Sequence, residues 1–442
     1  MIPKQLLIPG WGSPNRENGK ANRLDPQDRA FHDWYRFVLS FPPHLVREYC
    51  QDFGLDSRHK LLDPFCGTGT TLVEAKLQGI SACGVEANPF AHFASAVKTD
   101  WSVSPNELVA SSRQIASDAL ACLAQQGIDD QTQFTGEVAA LPLRTLSSEE
   151  TKLLLTDSIS PIPLHKTLVL LECIKKRPEP PVYRHQLLAL AKALVYKISN
   201  LHFGPEIGVG KAKVDSPVIS TWLGEVEKMA GDLRQISEVT STFSELHLGD
   251  ARRINELLQP NSIDVVITSP PYPNEKDYTR ITRLESVLLG FISNKADLRS
   301  LKNDLVRSNT RNVYKGDDDD LWVAEFQAIQ TIAQAIEQRR LELGKTSGFE
   351  KLYGRVARLY FGGMARHLAA LRTVLRPGAQ LAYVVGDQAS YLRVMIRTGQ
   401  LIAEIAQSLG YEFVRIDLFR TRLSTTTKEQ LREEVVILRW RG

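Results

Sequence analysis

The chain has 442 residues, a formal net charge of +3, 43% hydrophobic and 24% charged residues. That balance suits a globular protein of two or three domains, and a local basic face would be enough to engage phosphates. There is no run of about eighteen apolar residues to span a membrane. The opening MIPKQLLIPGWGSPN is too short in apolar residues for a signal peptide. Cys50, Cys66, Cys83, Cys122 and Cys173 are scattered without a CxxC pair, which argues against a zinc site or a disulfide framework and for a reducing cytoplasm.

Residues 1–30, rich in Pro, Gly, Asn and Arg, read as an irregular arm. From Phe31 the pattern turns helical, and Phe41–Cys50 reads as a helix with proline in its first turn, where the missing N–H costs nothing. Leu61–Thr71, LLDPFCGTGTT, reads as strand, tight turn and helix start. Glycines let such a turn approach a ligand closely, and its free N–H groups at a helix start stabilise an anion. It is not GxGxxG and has no Lys-Ser/Thr, so phosphate binding is the weaker reading. A second short strand ends in Glu86, placed to accept hydrogen bonds from ribose hydroxyls. Phe90 fits either an adenine-stacking ring or a core aromatic.

Helical periods follow at Asn106–Gln125, Ser148–Leu155, Leu164–Lys176, Tyr183–Ile198 and Thr221–Ile236, separated by proline-marked linkers. Lys175-Lys176-Arg177 with Tyr183-Arg184-His185 suits phosphate contact and base stacking, or equally a solvated helix end. A strand then ends at Gly249-Asp250, where the acid also suits a helix N-cap. Ile263–Thr268 reads as a buried parallel strand that delivers Ser269-Pro270-Pro271-Tyr272 to the carboxyl edge of a sheet. The acid run Asp317–Asp320 reads as a solvated loop, and Trp322–Leu343 as a long amphipathic helix. A helix ending near Leu375, strand Gln380–Val385, helix Leu401–Leu409 closed by Gly410, and a hairpin of Tyr411–Phe419 and Glu434–Trp440 complete the chain.

Two stretches carry a resemblance. Asp63-Pro64-Phe65-Cys66-Gly67-Thr68-Gly69-Thr70 resembles motif I of the S-adenosylmethionine-dependent DNA amino-methyltransferases, and Thr268-Ser269-Pro270-Pro271-Tyr272 resembles their catalytic motif IV. The Phe41–Cys50 helix resembles motif X, a lid over the methionine end of the cofactor, and Gly249-Asp250 resembles motif III. The resemblance covers about half the chain; the inserts match nothing nameable.

It implies an α/β fold: a Rossmann-like core, mostly parallel with a C-terminal hairpin, plus mainly helical inserts. The core would comprise residues 31–103, 246–284 and 355–442. Residues 104–245 and 285–354 would be inserts and rival locations for target recognition. S-adenosyl-L-methionine is the implied cofactor, held by Asp63, Pro64, Phe65, Gly67, Gly69, Thr70, Glu86 and Asp250, with no metal. Ser269, Pro270, Pro271 and Tyr272 are the implied catalytic residues.

The chemistry suits these residue types. The exocyclic amine of a base is a poor nucleophile, and acceptors aimed at its N–H protons stabilise the developing positive charge. Ser269 and the carbonyl of Pro270 supply acceptors, the two prolines fix the loop, and Tyr272 supplies a ring against a base flipped out of duplex DNA. Cytosine C5 methylation would need a cysteine nucleophile in a Pro-Cys pair, which is missing. The family pattern with serine at position 269 favours cytosine N4. Adenine N6 is the alternative, followed by an RNA base methyltransferase and a silent nucleic-acid-binding module. A restriction-modification or phage-defence setting, with a cognate nuclease, completes the expectation.

Overall fold

The structure, a computed structural model, describes residues 24–37, 40–135, 142–203, 207–236, 242–423 and 430–442. The arm expected over residues 1–30 falls mostly outside these. Seven strands form one sheet: β1 (Lys60–Asp63), β2 (Ser81–Glu86), β3 (Ser244–Leu248), β4 (Ile263–Thr268), β5 (Leu375–Gly386), β6 (Glu412–Leu423) and β7 (Gln430–Arg439). Their spatial order is β3-β2-β1-β4-β5-β7-β6. β3, β2, β1, β4 and β5 pair in parallel, while β7 runs antiparallel to both β5 and β6. The expected α/β core with a C-terminal hairpin is present.

Short, continuously apolar strands suit such a sheet, because helices cover both of its faces. Alternation along each strand divides two cores. Leu62, Val266, Tyr383 and Val436 pack on one face, and Leu61, Val265, Val384 and Ile437 on the other. The chain moves outward from β1 to β3 and then returns to place β4 on the other side of β1. The loops after β1 and β4 therefore part at a topological switch point, the usual ligand crevice of such sheets.

The first helix, α1 (Pro43–Asp52), starts on Pro43. The preceding Phe31–Phe37 is not helical beyond a single turn at His32–Trp34. β1 leads into α2 (Thr70–Leu77), and β2 into α3 (Pro89–Lys98), which Asn88 caps by accepting from the N–H groups of Phe90 and Ala91. The insert between β2 and β3 has its main helices at Pro105–Ala124, Pro161–Lys176, Val182–Ala193 and Ile219–Arg234, with a small antiparallel ribbon of Leu201–Phe203 and Ile207–Val209. Its core is continuous with Phe31, Trp34, Tyr35 and Phe90. Phe90 is fully buried there against Tyr35, so it belongs to the core and not to an adenine face.

Three further expectations need correction. The acid run is not a solvated loop: Asp317 is bidentate to Arg307, and buried Asp319 joins Arg252 and Arg366. The backbone there presses on the helix Tyr353–Leu371, where a Cβ on Gly362 would lie 1.8 Å from the Asp319 carbonyl. The long helix starts at Gln327, with Trp322 in the preceding 3-10 turn. In the basic cluster, His185 is buried against the Asp100 carbonyl, while Lys176 and Arg177 pair with Glu172 and Asp118. Of the two readings left open for that cluster, exposed ion pairs at a solvated helix end fit Lys176 and Arg177 better than a nucleic-acid face. Among the described residues, no helix is long and apolar enough to cross a membrane.

Candidate active site

A cavity of about 310 Å³ opens at the switch point. Its walls take residues from the turn after β1, the end of β2, the start of the segment after β3, and the loop after β4. Pro64, Phe65, Gly67, Thr70, Glu86, Asp250, Ser269, Pro270, Pro271 and Tyr272 all line it. Two groups of residues about 200 positions apart in sequence thus share one chamber.

The turn after β1 is built on two left-handed glycines, Gly67 (φ 51°) and Gly69 (φ 81°). At Gly69 a Cβ would fall 2.4 Å from Ser95 Oγ, so α3 packs against the turn only because glycine stands there. Gly69 is thus a packing residue behind the wall. Asp63 is also behind it, fully buried. Its carboxylate accepts from Thr71 Oγ1 and Thr268 Oγ1, both at 2.6 Å, and from the Phe65 N–H at 3.1 Å. Burial pushes this carboxyl up to about 6, and those hydrogen bonds pull the other way. Asp63 therefore acts as a brace between the turn after β1 and the strand before Ser269.

Glu86 closes the turn from the other side. Its two carboxylate oxygens accept from the N–H groups of Gly67 and Asn88, each at 2.8 Å. Burial pushes Glu86 up to about 7, against the pull of these N–H groups. Asp250 lines the cavity, but Arg252 holds its carboxylate through the backbone N–H, Nε and Nη2. Capping is thus what its side chain does.

In the loop after β4, the Ser269 hydroxyl donates to the Val384 carbonyl at 3.2 Å. That bond takes up its proton and leaves its lone pairs as acceptors. The Tyr272 N–H donates to the Tyr278 hydroxyl at 3.1 Å. The Tyr272 ring lies over Gly386, where a Cβ would come within 3.1 Å of Cε2. Burial raises the Tyr272 phenol above its ordinary range, so it stays neutral.

Several wall residues had no sequence signal. Phe37 and Ser40, with Phe41 at the start of the stretch likened to motif X, line the cavity ahead of α1, so the approach to the helix, and not its body, faces the cavity. Leu305, Val306, Ser308 and Asn309 come from the second insert, while no residue of 104–245 lines the cavity among those described. Phe419, Arg420, Arg422 and Glu433 come from the terminal hairpin.

A parallel sheet of this order, with a glycine turn and an acid-ended second strand meeting an acceptor-bearing Pro-Pro loop, defines a methyltransferase of the Rossmann-like class. Residues 50–157 match the methyltransferase-domain family model UPF0020, described as RMKL-like. The chain is 25% identical to the Type II methyltransferase M.BsoBI of Geobacillus stearothermophilus, across 93% of this chain and 85% of that protein. It is 24% identical to the Type II methyltransferases M.AvaI of a Nostoc species and of Anabaena variabilis, across 93% of this chain and 84% of each. The chain is thus similar to Type II DNA methyltransferases along most of its length and carries a match to a methyltransferase-domain family.

Proposed function

We propose that the protein transfers a methyl group from S-adenosyl-L-methionine to the N4 amine of a cytosine flipped out of duplex DNA, as the modification arm of a restriction or phage-defence system. The observation that carries this is the single cavity shared by the glycine turn with Glu86 and by Ser269–Tyr272. Similarity to Type II methyltransferases along most of the chain supports the setting.

The donor, when bound, supplies an electrophilic methyl on a sulfonium. Glu86 fits its ribose: the carboxylate already collects two N–H groups and has further lone pairs for hydroxyls. The turn after β1 and the start of α2, with Thr68 and Thr70 in the cavity wall, face the amino-acid end, and Gly249 and Asp250 line the wall on the adenine side.

For the base, Ser269 Oγ and the Pro270 carbonyl accept from the two amine protons, which favours a tetrahedral nitrogen with a directed lone pair. The fixed acceptors meet charge as it develops, without reorganising. Tyr272 stacks on the ring and holds the amine in line, and positioning of this kind is the other main source of rate. No titrating base is required, since the product ammonium is acidic enough to lose its proton through the Ser269 and Pro270 oxygens to water. Serine at 269 supports cytosine over adenine by family pattern.

The test is methylation of mixed-sequence duplex DNA with labelled donor, digestion to nucleosides and mass spectrometry. N4-methylcytosine is the expected product. N6-methyladenine would keep the mechanism and overturn the target, and methylation of RNA alone would overturn the substrate.

A further inference from the structure

The terminal hairpin places an ion pair in the cavity wall. Arg420 on β6 stands directly opposite Glu433 on β7. Arg420 Nε donates to Glu433 Oε2 at 2.6 Å, and Nη2 to Oε1 at 2.8 Å. Side-chain exposure is 20% and 12%, so the pair is largely withdrawn from water.

A break in the strand puts it there. Neighbouring residues of a regular strand point to opposite faces. Yet Phe419 and Arg420 both line the cavity, and the β6–β7 register shifts between Leu418 and Arg420. A bulge of this kind re-aims side chains beside a site. The pair also adjoins the catalytic ring: a Cβ on Gly386 would lie 3.1 Å from Tyr272 Cε2 and 3.4 Å from Glu433 Cγ.

We propose that Arg420, oriented by Glu433, reads the edge of the target cytosine, donating to its N3 and O2 while its amine rests on Ser269 and Pro270. This rests on the cytosine reading above. A guanidinium carries five N–H groups, and the bidentate bond uses two of them. Among the described residues, Glu433 alone accepts a hydrogen bond from Arg420, so the Nη1 edge has donors left. The Glu433 carboxylate fixes the guanidinium plane, which lowers the ordering cost of a second, planar contact.

Cytosine offers two adjacent acceptors beyond its amine, N3 and the O2 carbonyl. Adenine offers N1 and then a C–H. An adenine seated at Ser269 would leave one buried donor of Arg420 unpaired, and sites built around a polar group reject analogues that lack it. Arg420 is therefore a specificity-determining residue, and Glu433 a positioning residue acting through it.

The experiment uses the full chain and duplexes with cytosine or adenine at the methylated position, once product analysis has located it. The readout is the ratio of kcat/KM for cytosine over adenine. Arg420→Met should lower that ratio about ten- to a hundredfold, the scale of a bidentate base contact, with donor affinity within about twofold of the parent. Glu433→Gln should lower it less. Arg420→Lys keeps the charge but not the fork, so it should lose most of the preference. It also serves if Arg420→Met fails to bind donor. A parent that makes N4-methylcytosine beside variants with an unchanged ratio overturns this inference alone. A parent that methylates adenine overturns the target reading first and this inference with it.

Discussion

Thr268 donates its hydroxyl to Asp63 Oδ1 at 2.6 Å, and so ties the strand before the Ser-Pro-Pro-Tyr loop to the strand before the glycine turn. Both residues are fully buried. Thr71 and the Phe65 N–H hold the same carboxylate, so one acid sets the relative position of both halves of the cavity. Thr268→Val keeps the shape and leaves Asp63 Oδ1 short of a donor. We expect a loss of about 1–3 kcal/mol, the usual cost of an orphaned buried acceptor. Urea unfolding would check it, and an unchanged midpoint would mean that the contact is incidental.

On the proposed reading, Glu86 should make donor binding depend on pH. Its carboxyl stands near 7 in the folded chain because burial disfavours the charge. The ionised form is the better acceptor for two hydroxyls, so binding should release a proton and tighten as pH rises from about 6 to 8. The donor's own amine titrates in the same region, so the comparison is with Glu86→Gln. That variant should bind more weakly and lose the part of the slope due to this carboxyl. Isothermal titration in two buffers reads both, and equal slopes in the two proteins would remove Glu86 from the account.

Lys98 is fully buried beneath the turn and donates to the Thr68 carbonyl at 2.8 Å. Burial, with Arg36 and Lys192 nearby, lowers it to about 7. In the unfolded chain it keeps its proton to about 10.4. Between these values the unfolded state binds more protons, so Lys98 makes stability rise with pH across that window and gives no slope below it. Buried cysteines and tyrosines oppose it above about 8.5, because their raised values reverse the sign. The stability of the parent minus that of Lys98→Met should therefore climb from pH 7 to 8.5, approaching about 1 kcal/mol per pH unit. A flat difference would mean that the lysine stays protonated.

Ser269→Ala removes one acceptor and leaves the Pro270 carbonyl. Turnover should fall about a hundred- to a thousandfold, the scale set by losing one preorganised polar contact in a transition state. Donor affinity should hold, because the partners of the Ser269 hydroxyl, Val384 and Tyr272, lie off the glycine turn. Single-turnover methyl transfer checks this, and near-parent rates would move the acceptor role elsewhere.

Much of this was legible in the chain because the signals were local. The turn after β1 announced itself by glycines that must take positive φ, and the Ser-Pro-Pro-Tyr loop by prolines that fix its backbone. Their meeting followed from a single strand order. The rest depended on contacts distant in sequence. Asp317 and Asp319 read as solvated charge because Arg307 stands ten residues upstream and Arg252 and Arg366 come from other segments. His185 read as a surface cation until its helix packed. Arg420 and Glu433 had no motif, and only the bulge and the hairpin register bring them to the cavity. Asp63 was legible as important, but its work as a brace depends on Thr268, some 205 positions away.

The central claim is that Ser269–Tyr272 and the glycine turn serve one reaction from separable walls. Tyr272→Ala tests it most directly, by measuring donor affinity and single-turnover methyl transfer on the same preparation. Transfer should fall about ten- to a hundredfold, the worth of a base-stacking ring, with donor affinity nearly unchanged. Equal loss of both would contradict the account and make the loop a support for the cofactor wall.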